Sequence, residues 1–232
     1  MNVWLNCYDN FKYREDKVKK QLIIFDLDGT ILNTLEDLAD SVNYVLVSNQ
    51  LPTRTIEEIR RFVGNGIRKL IEQVVPEECQ EDIVDKVFAD FGEHYKEHCA
   101  DKTRPYEGIL KLLSELQAKG YHLAVVSNKA DFAVQELCET YFQGKFEYVV
   151  GERKEIRRKP YPDSVLKVLD KLQVKKENAV YVGDSEVDIE TAKNAGIDMI
   201  CVEWGFRDQE YLIKQGAENF IASPEEIYSY LD

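Results

Sequence analysis

Hydrophobic and polar positions follow two different rhythms along this chain. Leu22–Phe25 is an unbroken apolar run, and similar short runs, HLAVV, EYVV, AVYV and MICV, recur after residue 120. Runs of this length bounded by turn residues read as strands buried on both faces. Between them, ILKLLSELQAKG, DFAVQELCETY, PDSVLKVLDKL and EVDIETAKNAG repeat apolar residues every three or four positions, which predicts amphipathic helices. Gly120 ends the first of these, where a left-handed cap costs glycine little. Strands alternating with helices predict an α/β fold, a Rossmann-like parallel sheet with helices on both faces.

The first strand is followed by a long stretch with no strand-like run. Thr34-Leu35-Glu36-Asp37 resembles a capping box, so a helix should start just after it, and Thr55-Ile56-Glu57-Glu58 opens another in the same way. Gly64-Asn65-Gly66 then breaks the chain before IRKLIEQVV resumes helical spacing. Gln80 to about Cys99 reads as a longer amphipathic helix. An insertion of this length is no ordinary connection. The expected organisation is an extension over residues 1–20, a core made of 21–34 and 104–232, and an all-helical cap over 35–103.

Composition narrows the class. At 232 residues, 44% apolar and 31% charged, the chain can bury a substantial core. No apolar stretch reaches the ~20 residues that span a bilayer, and the first residues lack the order of a secretory signal. A cytoplasmic protein without membrane attachment is expected. Five scattered cysteines form no CxxC pair, which points to free thiols. His94 and His98, four apart without a HExxH pattern, read as a solvated helix face. A net charge of −13 argues against nucleic acid as a partner. It also means that any phosphate site must rely on local cations.

Four strand ends carry useful chemistry. The first delivers Asp26 and Asp28, then Gly29 and Thr30; the second, Ser127 and Asn128. Lys159 follows the third, inside RRKPYPD, and the fourth delivers Gly183, Asp184 and Ser185, with Asp188 four residues past Asp184. In a parallel sheet these carboxyl ends share one edge. Each motif alone is an ordinary turn; all four in order are not.

DLDGT, SNK, KPYPD and GDSEVD resemble, in order, the four motifs of the haloacid dehalogenase-like hydrolase superfamily, and the resemblance covers residues 21–232. It implies that Asp26 attacks phosphorus and forms an aspartyl-phosphate, and that Asp28 serves as acid and then base. Ser127, Thr30, Asn128 and nearby backbone amides would bind phosphoryl oxygens, with Lys159 neutralising charge. Mg²⁺ would be held by Asp26, the Asp28 carbonyl and Asp184, with Asp188 acting through water or as a second ligand. Asn33 stands where aspartate is often found, outside the catalytic pair. An aspartate nucleophile is already ionised and needs no histidine base.

The cap should set specificity. Gly64, Asn65 and Gly66 either face the substrate or form a plain helix–turn–helix linker, and Arg68 either meets a substrate carboxylate or takes a solvated helix position, the latter being preferred. Trp204, Gly205, Phe206 and Arg207 either border the site or pack on the cap, the latter being preferred. VGNG and RPYEGI resemble the phosphoglycolate phosphatase branch, which implies a small phosphorylated metabolite such as 2-phosphoglycolate. Rivals are a β-phosphoglucomutase-like phosphotransferase, a pyrophosphatase, and a silent phospho-binding protein.

Residues 1–20 carry no motif. They read as a weakly ordered extension, or as untranslated sequence if Val18 is a GTG start preceded by a purine-rich ribosome site at Arg14-Glu15-Asp16.

Overall fold

The computed structural model describes residues 20–231. Expectations for the extension before Lys20 lie outside the described residues. Lys20 itself is buried, with its amide donating to the Leu231 carbonyl and its ammonium 2.6 Å from Asp198.

In chain order the elements are β1 (Leu22–Phe25), β2 (Leu32–Asn33), α1 (Leu35–Ser48), α2 (Ile56–Phe62), α3 (Ile67–Val74), α4 (Glu81–His98) and β3 (Arg104–Pro105). There follow α5 (Ile109–Ala118), β4 (His122–Ala130), α6 (Asp131–Phe142), β5 (Tyr148–Glu152), α7 (Asp163–Leu172) and β6 (Ala179–Gly183). The last are α8 (Glu186–Ala195), β7 (Asp198–Val202), α9 (Gln209–Lys214) and β8 (Phe220–Ile221).

Six strands form one parallel sheet in the order β5-β4-β1-β6-β7-β8. The apolar runs are continuous because both faces of each strand are covered. Ile23 and Phe25 of β1 belong to one buried cluster, Leu22 and Ile24 to another beneath α7 and α8. The chain steps outward from β1 through β4 to β5, then crosses back to β6 on the other side of β1. The carboxyl ends of β1, β4 and β6 therefore meet at the reversal of strand order, where α/β sheets bind ligands.

Helices α1–α4 lie between β2 and β3, and their apolar faces join the largest core cluster of the described residues. The chain leaves and re-enters at one place. Leu32 and Asn33 pair antiparallel with Pro105 and Arg104.

Here the sequence reading needs one correction. Helix α1 does start at Leu35, but Thr34 makes no side-chain cap. Its hydroxyl donates to Asp28 Oδ1 at 2.7 Å, and the Leu35 amide donates to Asn33 Oδ1. Asp37 instead accepts from the amides of Lys102 and Thr103, at 2.8 to 3.1 Å. A carboxylate facing two returning amides gains more there than at an exposed helix start. The capping box at Thr55 and Glu58 is formed as expected.

Candidate active site

Each candidate side chain is placed by the end of a strand. Asp26 follows β1, anchored by its amide to the Val182 carbonyl at 2.9 Å. Strand β4 runs on through Ala130, so Ser127 and Asn128 lie within it rather than after it. Pairing with β5 shifts register between Val126 and Ala130 there, which re-aims the side chains. Asp184 and Ser185 follow β6. The Ser185 hydroxyl caps α8 reciprocally with Asp188.

These groups line a cavity of about 30 Å³ with Gly64, Gly66, Ile67 and Leu70 of the helical segment. An enclosed water takes ~10–15 Å³ on that measure, so the space suits a small group. Asp26, Asp28, Ser127, Asn128, Lys159 and Asp184 all reach it.

Three predicted residues do not. Thr30 gives its hydroxyl to Asp184 Oδ1 at 3.1 Å, which positions that carboxylate. Asn65 is absent from the lining, although the glycines on either side are present. Asp188 is fully buried with both oxygens occupied. Oδ1 lies 2.7 Å from Lys159 Nζ, and Oδ2 accepts from the Asp184 and Ser185 amides and the Ser185 hydroxyl.

Lys159 binds Asp26 Oδ1 at 2.9 Å, Asp188 Oδ1 at 2.7 Å and the Tyr181 hydroxyl at 3.1 Å. Burial alone would favour loss of its proton, but Asp188 and Asp26 outweigh it and hold the ammonium well above its ordinary range. The Asn128 side chain grips the Lys159 backbone at both ends and also donates to the Gly64 carbonyl, at 3.2 Å. Asn128 therefore ties strand, lysine and helical segment together.

Asp184 is held by Thr30 and by the Phe206 amide, which donates to Oδ2 at 2.7 Å. It is wedged between two glycines. A Cβ on Gly29 would sit 2.4 Å from Asp184 Oδ2, and one on Gly205 would sit 2.1 Å from its Cβ. Gly29 also has φ +83°, a conformation that side chains disfavour.

The electrostatics point to a missing charge. Four buried or half-buried carboxylates, Asp26, Asp28, Asp184 and Asp188, face only two ammonium groups, Lys129 and Lys159. Burial, only partly offset by Lys159 and reinforced by the other carboxylates, raises Asp26 to about 8, so the ionised nucleophile expected from sequence requires a further cation beside it. Burial and Asp188 raise Asp184 to about 7. Asp26 Oδ1 is buried, close to Lys159, and without a well-directed hydrogen bond. Oxygens of Asp26, Asp184 and Asp188 lie within 4.8 Å of one another. An all-oxygen set short of two positive charges fits a hard divalent cation; Asp26 and Asp184 face the cavity, and Asp188 stands behind them with Oδ1 on Lys159.

Residues 23–202 match the family model of the haloacid dehalogenase-like hydrolases. The chain belongs to that family. The hydrolase is 33% identical over 196 residues to the phosphoglycolate phosphatase of Mesorhizobium japonicum, covering 83% of this chain and 86% of the relative. To the phosphoglycolate phosphatase of Aquifex aeolicus it is 34% identical over 187 residues, covering 80% and 86%. A provisionally assigned phosphoglycolate phosphatase from Lactobacillus delbrueckii subsp. bulgaricus superposes with a TM-score of 0.87 at 37% identity, covering 92% of this chain and 99% of its own. The expectation of a phosphoric monoester hydrolase is met. Among the described residues no helix is long and apolar enough to cross a membrane.

Sequence reasoning missed Lys129. It stands inside the SNK motif, yet its burial was not anticipated; its ammonium reaches Asp28 Oδ1 at 2.9 Å and the Tyr95 hydroxyl at 2.7 Å. The preference for packing over bordering at residues 204–207 also needs amending, because the loop does both. Phe206 lines the cavity, while Arg207 bonds Glu186 and the carbonyls of Arg60 and Val63. Arg68 pairs with Glu72, Glu81 and Asp85, away from the cavity. His94 and His98 stack on each other, but His94 also bonds Ser41 and stacks on Tyr44 of α1, so this is a half-buried helix contact and not the solvated face expected; neither joins a metal cluster among the described residues.

Proposed function

We propose that this hydrolase cleaves a small phosphate monoester, 2-phosphoglycolate foremost, with Mg²⁺ held by Asp26 and Asp184 and with residues 35–103 acting as a cap. The observation that carries the reading is the pairing of Asp26 with Asp28. Asp26 is an aspartate with a buried, poorly satisfied oxygen beside Lys159. Asp28, two residues on, receives both its hydrogen bonds on Oδ1 and keeps Oδ2 free.

Asp26 attacks phosphorus and takes the phosphoryl group as an aspartyl-phosphate, splitting hydrolysis into two steps. Asp28 Oδ2 gives a proton to the departing ester oxygen, then takes one from the water that cleaves the intermediate. The Ser127 hydroxyl meets the phosphoryl oxygens, Lys159 neutralises charge on Asp26 and on the phosphoryl group beside it, and Asn128 holds Lys159 in place. The bound cation supplies the positive charge that lets a dianion approach the carboxylates. Asp188 orients Lys159 and caps α8.

One feature supports a small ester over a sugar phosphate: the relatives at 33% and 34% identity are phosphoglycolate phosphatases. The test is a phosphate-release screen over small esters with Mg²⁺ and with chelator. Release should require the metal and vanish in Asp26→Asn. Conversion of glucose 1-phosphate to glucose 6-phosphate without free phosphate would favour the mutase instead.

A further inference from the structure

Among the described residues, Lys129 stands on the cavity wall with an N–H group to spare. Lys159 directs its three donors to Asp26, Asp188 and Tyr181. Arg207 gives four of its five N–H groups to Glu186 and to two backbone carbonyls of the helical segment. Lys129 has three N–H groups but forms two hydrogen bonds, to Asp28 Oδ1 and the Tyr95 hydroxyl. Its side chain is 1% exposed, so the third donor is shielded from bulk water yet belongs to the cavity wall. The wall on the helical side is otherwise apolar, made by Leu38, Val63, Ile67 and Leu70.

We propose that Lys129 is a specificity-determining residue, giving its third N–H to a carboxylate borne two carbons along from the ester oxygen. This rests on the phosphatase reading above, in which Asp28 Oδ2 contacts that ester oxygen. Lys129 holds the other oxygen of the same carboxyl group, so its nitrogen stands roughly 5–6 Å from the ester oxygen. In a two-carbon acid a carboxylate oxygen lies about 3 Å from the ester oxygen, which leaves about one hydrogen-bond length to Lys129. Tyr95 makes the placement rigid. It is 3% exposed, belongs to α4, and also lays its ring 4.7 Å from the ammonium. The selecting cation thus comes from the core sheet, while the helical segment fixes where it points.

The experiment compares phosphate release from 2-phosphoglycolate and from 2-hydroxyethyl phosphate, in which a hydroxymethyl group replaces the carboxylate. Wild type, Lys129→Met, Lys129→Gln and Tyr95→Phe are assayed as full chains with Mg²⁺, with thermal melts alongside. Both rates should fall in Lys129→Met, because Asp28 also loses a partner. The readout is the ratio of the two kcat/KM values. It should drop about 10- to 100-fold, the range for losing one hydrogen bond to a charged group. Lys129→Gln should behave alike, and Tyr95→Phe should lower the ratio by less. If Lys129→Met does not fold, the ratios of the other two variants decide.

Parallel loss on both esters with an unchanged ratio would assign Lys129 to positioning Asp28 alone and overturn the proposal. A wild-type enzyme with no preference for the carboxylate would do the same while leaving the phosphatase reading intact. No phosphate release from any ester would sink that reading, and the proposal with it.

Discussion

Replacing Gly205 by alanine tests the site through a single methyl group. The added carbon would lie 2.1 Å from Asp184 Cβ and 2.7 Å from both Cγ and Oδ2, whereas ordinary contact begins at 3.4 Å. A separation of about 1.3 Å must therefore open. Asp184 cannot retreat freely, because Gly29 closes the other side and Thr30 holds Oδ1. If the loop retreats instead, the Phe206 amide leaves Oδ2, to which it is bonded at 2.7 Å. Either the carboxylate or its donor is displaced. Misplacement by about 1 Å in an active site costs on the order of 100-fold in rate. We expect Gly205→Ala to lose about that much in kcat/KM and to need more Mg²⁺ for half-saturation, with an unchanged far-UV spectrum. Gly92→Ala is the control, since a Cβ there meets nothing within 4 Å; in the interior of α4 it should stabilise by about 0.5–1 kcal/mol. Kinetics and Mg²⁺ half-saturation within about threefold of wild type in Gly205→Ala would refute the argument.

The raised carboxyl groups make a linked prediction about pH. With Asp26 near 8 and Asp184 near 7, the metal-free folded state binds more protons than the unfolded chain between about pH 4 and 8. Its stability should therefore fall as pH rises through that window, and Mg²⁺ should raise the melting temperature more at pH 8 than at pH 6. An equal or larger gain at pH 6 would contradict this. Asp37→Ala strands the amides of Lys102 and Thr103 and should cost about 2–4 kcal/mol, a fall of roughly 5–10 °C in melting temperature measured by calorimetry. An unmoved transition would show that water replaces the carboxylate. Asp26→Asn should bind Mg²⁺ more weakly as well as lose turnover; metal titration by calorimetry reads the first independently of the second.

Asp26, Ser127, Lys159 and Asp184 were legible because each stands at or near the end of an apolar run, and a parallel sheet brings such ends together. What escaped depended on distant partners. Lys129 reads in sequence as a residue leaving its strand for solvent, yet Tyr95, thirty-four positions earlier, covers it. Thr30 sits in the opening motif, but its hydroxyl is claimed by Asp184, 154 residues away. Asp37 fits the local pattern of a helix start and is drawn off by a backbone that returns 65 residues later. Asp188 was readable as a carboxylate near the cluster, whereas the three bonds on its Oδ2 follow from how α8 begins. Local pattern placed the strands and the helices; competition among partners decided which polar atoms remained free.

The antiparallel step between β2 and β3, with Asp37 bracing its far side, has a consequence for how such a protein can diversify. Everything from α1 to α4 hangs from one narrow neck whose two ends are tied together. Material beyond a tied neck can be lengthened, trimmed or exchanged while the sheet keeps its spacing, since doubling a loop adds only about 0.6 kcal/mol of closure entropy. The carboxylates and Lys159 stay on the fixed side. The apolar walls of the cavity, Leu38, Val63, Ile67 and Leu70, travel with the exchangeable part, and so does Tyr95, the clamp on Lys129. A replacement cassette lacking a hydroxyl at that point would inherit the chemistry but not the aim.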